Sequence, residues 1–415
     1  MQPVERIVPQ SWMTEAPTRA VLAALGAGGA VVRFVGGCVR DALLGRAIGD
    51  VDIATPDPPE TVLRLLEAAS IKAVPTGIAH GTITAVVPPR HFEITSLRRD
   101  VETFGRHARV AFTDDWAADA ARRDFTMNAL FLDADGAVFD PVGGLADLRA
   151  GHVRFVGDAE ARIREDVLRL LRFYRFHAHY GCGAADLAAR QACRKLAALL
   201  PGLSGERVAA ELFKLLAAPD PVPTIDLMIE DGVLAILLPG ARRRDRLAGL
   251  VALETAGGTA GDRLRRLAAL LDLDADSAQE VARRLRLSSA ERDRLALLAA
   301  PPAAVDLAAD ERAQRRALHR LGLAAYGDLV LLRAAGTGEA ARARELLAAA
   351  PRLVPPRFPL RGRDVTRLGL APGPAVGELL REVEEWWERG DFRADRAACL
   401  ARLAERVGAS RPASS

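Results

Sequence analysis

The 415-residue chain is poor in cysteine, histidine, lysine and aromatic residues, and most of these shortages exclude something. Its four cysteines, Cys38, Cys182, Cys193 and Cys399, never form a CxxC pair, which argues against a zinc knuckle and a disulfide framework. Lysine occurs only at 72, 195 and 214, so nearly all positive charge is arginine. No run of about 18 apolar residues escapes glycine, proline, histidine or charge, so a membrane span is not expected. The opening MQPVERIVPQSWMTEAPTR lacks the basic-then-apolar order of a secretory leader, and a cytoplasmic location is expected. With 57 basic and 54 acidic side chains the net charge is +3, too small to demand a polyanionic partner, although clustered arginines can still build a basic face.

What is present divides into two textures. Between 31 and 140, β-rich runs (VVRFVGG, GTITAVV, HFEITSL, ALFLDADGAVFD) alternate with the helical PPETVLRLLEAAS and a polar segment, 99–115, which is expected to be a loop. The DADG at 133–136 is a hairpin signal. From about 153 onward strand signals vanish and Leu, Ala and Arg recur at helical spacing, with breaks at APPAA (300–304) and PRLVPPRFP (351–359). A small α/β head followed by a longer helical region is therefore expected.

The chemistry concentrates in RFVGGCVRDALLGRAIGDVDIAT, residues 33–55. On an extended strand, positions i and i+2 share a face, so Asp50 and Asp52 stand together while Val51 and Ile53 enter a core. Two such carboxylates repel unless a cation lies between them, and their hard oxygens suit Mg²⁺. The alternative is a surface turn with two solvated acids. Gly36 and Gly37, between a strand and a helix, free backbone N–H groups to cradle phosphate oxygens, with Arg40 adding charge; a glycine pair alone is otherwise just a turn.

Six ordered segments, GGCVRD, GDVDIAT, RRDFTMNAL (122–130), DPVGGLADL (140–148), EDVLRLLRFYRF (165–176) and ERVAAELFKLL (206–216), resemble the motifs of bacterial class II CCA-adding tRNA nucleotidyltransferases and the related bacterial poly(A) polymerases. The resemblance spans about 30 to 240. It implies an α+β N-terminal nucleotidyltransferase head (polymerase-beta-like, with a mixed sheet) followed by an all-α neck, body and tail. The expected boundaries are an N-terminal segment 1–25, head 26–152, neck 153–235, body 236–350 and tail 351–415.

It also implies roles. Asp50 and Asp52 are expected to be catalytic and to hold two Mg²⁺ ions, with Gly36, Gly37 and Arg40 on the triphosphate. Arg123, Asp124 and Asn128 are expected to hold the nucleotide, Arg122 standing beside them; the plain alternative is a charged strand entrance in which Arg123 pairs with Asp124. Asp166 and Arg169, i and i+3 on one helical face, are expected to read the bases of CTP and ATP, supported by Glu165 and Arg172. A lone acid and base at that spacing is otherwise a surface salt bridge.

Glu93 is a candidate third acid or an exposed strand residue, and His80 a structural or loop residue. The polar stretch 98–116, with Gly105, Arg106 and His107, matches the family's flexible loop in place and length, which favours complete CCA addition over CC-only addition. Poly(A) polymerases carry a basic signature close after the aspartates, where this chain has AVPTGIAHGTITAVV, with Lys72 as the only strong base there. The expected partners are tRNA, CTP and ATP, with no membrane and the oligomeric state left open. The competing functions are poly(A) synthesis, CC-only or A-only addition, and an inactive RNA-binding protein of the same shape.

In the C-terminal half, ARRRDR, DRLRRL and ARRLRL place arginines on helices, either against RNA phosphates or as solvated faces. Trp386 and Trp387 are expected to pack in a core. A histidine pattern for an appended phosphohydrolase domain is missing, His319 being the only histidine after residue 179.

Overall fold

The computed structural model describes residues 1–104 and 107–409. The chain forms two compact units, Met1–Pro239 and Gly240–Ser415. Among the described residues no helix is long and apolar enough to cross a membrane.

The first unit is built on an eight-stranded mixed sheet in the order β1-β10-β9-β2-β3-β6-β5-β4. Its strands are β1 (Glu5–Arg6), β2 (Arg33–Val35), β3 (Val51–Thr55), β4 (Lys72–Gly77), β5 (Thr82–Val87), β6 (Arg90–Ser96), β9 (Phe131–Leu132) and β10 (Ala137–Phe139). Only β3 and β6 run parallel, with Asp52 opposite Glu93. Alternation decides which face of β3 is dry: Val51 and Ile53 are buried and Asp52 is half-buried between them. The DADG turn closes the β9–β10 hairpin, with Gly136 at φ +89°. A Cβ on Gly136 would stand 2.0 Å from the carbonyl oxygen of Ile7, so only glycine lets β1 lie against β10. Trp12 is buried edge-on to Phe34, at 4.7 Å between ring centres.

The polar stretch expected to be a loop forms a two-stranded antiparallel ribbon, β7 (Arg98–Phe104) with β8 (His107–Phe112). Backbone pairing supplies its order. Gly105 and Arg106 lie outside the described residues.

Helices follow the sheet. Ala159–Glu165 and Leu168–Tyr180 are separate, because Asp166 has extended backbone (φ −147°, ψ 107°) between them. Its carboxylate accepts the Leu168 N–H at 3.1 Å, the way an aspartate favours the start of a helix over its interior. The helix Gly205–Leu216 packs against Leu168–Tyr180, burying Leu212, Leu215 and Leu216.

Among its described residues the second unit is built of helices joined by turns and loops. Glu254 on Arg244–Ala256 is buried and accepts from Arg265 (2.6 Å) and Arg266 (2.7 Å) of Arg263–Leu270. Asp328 of Glu311–Thr337 takes a further Arg265 nitrogen at 2.8 Å. These two arginines of DRLRRL are therefore core charges, which departs from both expected alternatives, RNA phosphates and a solvated helix face. Trp387 is buried and donates to the Ala394 carbonyl at 2.9 Å, while Trp386 packs at the margin of the same cluster.

Candidate active site

The turn after β2 brings three expected residues together. Gly36 caps the helix Gly37–Leu43 in a conformation (φ +74°, ψ −128°) that side chains rarely tolerate. A Cβ there would lie 3.6 Å from Asp52 Oδ2 and 3.7 Å from Arg123 Nη1. An acid on β3 and an arginine from 122–130 thus flank a backbone left bare of side chain.

Burial, then the neighbouring charge of Glu93, push the Asp52 carboxyl up to about 6, with Asp50 adding to the repulsion and Arg123 and Arg40 opposing it. Asp50 lies just before β3 and is exposed. Glu93, across the parallel pair from Asp52 on the interior strand β6, is exposed. Among the described residues no group of three or more His, Cys, Asp or Glu side chains is close enough to hold a metal ion. The fit to a cation therefore rests on crowded hard oxygens: Asp52 carries a repulsion that a positive charge would relieve.

Arg122 and Arg123 share one buried acid, Asp119, at 2.6 and 2.8 Å. Arg123 thus pairs with Asp119, where the plain alternative had Asp124. Asp124 faces inward: Oδ1 accepts from the Phe125 N–H (2.9 Å) and Asn128 Nδ2 (3.0 Å), and Oδ2 from Arg172 Nε (2.8 Å). Its burial opposes ionisation, yet Arg172 and the Asn128 hydrogen bond win and hold the carboxyl down at about 2. Asn128 Oδ1 in turn accepts from Arg40 Nη1 at 2.7 Å. Arg40, Asn128, Asp124 and Arg172 so form one internal chain of hydrogen bonds. Three residues expected against the nucleotide (Arg40, Asp124, Asn128) have their polar groups engaged with protein.

Asp166 and Arg169 do not share a helical face, since the helix begins at Leu168. Asp166 is held by Arg207 of the helix Gly205–Leu216, at 2.9 and 3.0 Å to its two oxygens. Arg169 pairs with Glu165 and donates to the Arg162 carbonyl at 3.0 Å. Arg162 Nη2 reaches the Arg123 carbonyl at 2.6 Å, tying this region to the arginine of the glycine turn. Of the two expected supports, Glu165 is in direct contact with Arg169, while Arg172 is hydrogen-bonded to Asp124.

Sequence reasoning missed Arg207, Glu211 and Asp119. Arg207 and Glu211 stand at i and i+4 within ERVAAELFKLL, and Glu211 takes Arg175 at 3.1 Å on the face turned to Leu168–Tyr180. That spacing was available as a signal. His80 closes a short turn, its carbonyl accepting from the Arg98 guanidinium.

A mixed-sheet head with a glycine turn against strand-borne acids, leading into helices that hold an acid and an arginine, defines a nucleotidyltransferase. Residues 32–154 match the poly(A) polymerase head domain, and residues 186–244 match a segment described as a probable RNA- and SrmB-binding site of polymerase A. The chain is 33% identical to the mitochondrial CCA tRNA nucleotidyltransferase 1 of Danio rerio over 392 residues, 90% of this chain and 87% of that one. It is 41% identical to the CCA-adding enzyme of Geobacillus stearothermophilus over 219 residues, 52% of this chain and 53% of that one. The crystal structure of the Bacillus stearothermophilus CCA-adding enzyme in complex with CTP superposes with a TM-score of 0.79 at 30% identity, covering 95% of this chain and 99% of the other. The chain belongs to the CCA-adding tRNA nucleotidyltransferase family.

Proposed function

We propose that the protein adds C, C and A in turn to the 3′ end of tRNA from CTP and ATP, without a nucleic-acid template and with release of pyrophosphate. The observation that carries the reading is the convergence of Asp52 and Arg123 on the bare backbone of Gly36. The names of the relatives over nine-tenths of the chain support it independently.

Asp50 and Asp52 would hold two Mg²⁺ ions, whose chemistry is to activate the attacking 3′-hydroxyl and neutralise the leaving pyrophosphate. Glu93 adds negative charge beside Asp52. Gly36 and Gly37 admit the triphosphate to the backbone, and Arg123, kept in place by Asp119, meets its charge. Asp166 accepts from the exocyclic amine that cytosine and adenine share, and Arg169 donates to the adjacent ring nitrogen or carbonyl. Arg40, Asn128, Asp124 and Arg172 position these groups from inside. Transfer needs positioning and charge neutralisation, with no covalent enzyme intermediate.

The same reading divides the helical remainder into a neck to 235, a body to 350 and a tail beyond. It also places the enzyme in the cytoplasm, which cell fractionation tests.

The deciding experiment incubates the protein with Mg²⁺ and tRNA transcripts ending before CCA, with CTP, ATP or both, and resolves products to single nucleotides. CC from CTP alone and CCA from both are expected. A long A tail would identify a poly(A) polymerase, arrest at CC or addition of A alone a specialist, and no product a binding protein. Asp52→Asn should abolish incorporation while the melting temperature stays within a few degrees of wild type.

A further inference from the structure

The helix Leu168–Tyr180 carries Arg169 in its first turn and a different cluster at its far end. There a cavity of about 330 Å³ is lined by Arg40, Arg175, Phe176, His179, Tyr180 and Lys214. Its floor is aromatic and cationic: the Arg40 guanidinium lies 4.1 Å over the Tyr180 ring and that of Arg175 4.6 Å over Phe176. Arg46 covers Tyr180 as well, at 4.6 Å, and donates to the His179 carbonyl at 2.9 Å.

The charges do not balance. Asp41 takes Arg40 at 2.9 Å, and Glu211 takes Arg175 at 3.1 Å. Among the described residues no carboxylate pairs with Arg46 or Lys214, and both are exposed, Lys214 lining the cavity and Arg46 covering the Tyr180 ring that lines it. Burial holds the His179 ring below its ordinary pKa, and the guanidinium groups of Arg175, Arg46 and Arg40 add to that. Positive charge is thus packed around an open space lined on one side by ring faces, an arrangement that suits a phosphate group carried on a nucleic-acid strand.

We propose that this cavity binds a backbone phosphate of the RNA strand, separate from the phosphates of the incoming nucleotide, with Arg46 and Lys214 supplying the uncompensated charge. The proposal rests on the tRNA-modifying reading above for the identity of the strand. Distance separates it from the nucleotide being added. Arg169 and Tyr180 stand about 16 Å apart along the helix axis, several stacked nucleotide steps. The phosphates of the incoming nucleotide are read above at Gly36, beside Asp52 and Arg123, and none of these three residues lines the cavity.

The test measures binding of a tRNA transcript ending before CCA, without nucleotide, across a salt series, to wild type and to the Arg46→Gln/Lys214→Gln double variant. Both side chains are exposed, and equal melting temperatures check that the fold is kept. The variant is expected to bind about ten-fold more weakly at low salt, and to lower the slope of log Kd against log salt by about 0.7–0.9 per lost contact. The KM for CTP should stay unchanged. Arg46→Lys/Lys214→Arg, which keeps the charge, should restore the wild-type slope. Unchanged affinity and slope would overturn the proposal. A raised KM for CTP with unmoved tRNA binding would overturn it too, assigning the cavity to the free nucleotide. If wild type binds tRNA but incorporates nothing, the CCA-adding reading fails, while weaker binding by the variant still supports the site.

Discussion

Arg172, in the second turn of the helix Leu168–Tyr180, donates its Nε to Oδ2 of Asp124 at 2.8 Å across 48 positions of sequence. The bond joins the motif that leads into β9 to the motif that would read the base. A buried acid whose one charged partner is removed is left uncompensated, and such losses run to several kcal/mol. Arg172→Ala should therefore destabilise the protein by about 3 kcal/mol in urea unfolding. The Asp124→Asn/Arg172→Gln double variant should lose less than the sum of its single changes.

The same pair predicts an acid dependence. The Asp124 carboxyl is held at about 2, below its ordinary 3.8, so its ionised form stabilises the folded state. That contribution is complete above the unfolded value and is lost as pH falls through the folded one. About 2 kcal/mol should disappear between roughly pH 5 and 2. Asp124→Asn should flatten this part of the stability profile, measured by denaturant unfolding at stepped pH.

Gly36→Ala places a methyl group in ordinary contact with Asp52 and Arg123, so space is not the obstacle. The backbone at φ +74° is, at about 1–3 kcal/mol. Relaxing that strain would move the turn away from Asp52. The variant should lose nucleotide incorporation at least ten-fold, whereas Gly37→Ala, which lacks positive φ, should lose less; parallel incorporation assays compare them.

Arg207 holds both oxygens of Asp166, and neither residue is on the same element as the other. Arg207→Gln frees the carboxylate to turn. Misincorporation of GTP and UTP relative to CTP should rise several-fold while the melting temperature falls by only a few degrees. Unchanged selectivity would remove Arg207 from the base-reading group.

In the second unit, Glu254→Ala leaves Arg265 and Arg266 buried without their shared acid. A loss of about 3–5 kcal/mol is expected, read as a drop in the unfolding transition of that unit.

Sequence pattern reveals local features well here and long-range pairing poorly. The strand face of β3 and the β9–β10 turn follow from alternation and from DADG, both properties of neighbours in sequence. The ribbon of β7 and β8 was hidden because charged residues interrupt its apolar ones, and its order comes from backbone hydrogen bonds that any residue can make. Asp166 was placed on a helix because it precedes one; its capping bond to Leu168 N–H, which ends the preceding turn, depends on atomic geometry. Of the site, the glycine turn and its acids were legible through the ordered motifs. The inward engagement of Arg40, Asp124 and Asn128 was not, since it is decided by Arg172, which reaches Asp124 only after folding.

The first strand, with two residues, is easily overlooked, yet it closes one edge of the main sheet against β10, and Gly136 exists in a form that admits only it. Anyone isolating the nucleotide-transferring portion by cutting near residue 26 would strip away β1 and the buried Trp12 together. The fragment would present a bare strand edge beside an emptied aromatic socket, a combination that invites self-association. Soluble fragments should instead begin before Glu5, and fusion partners belong upstream of that strand.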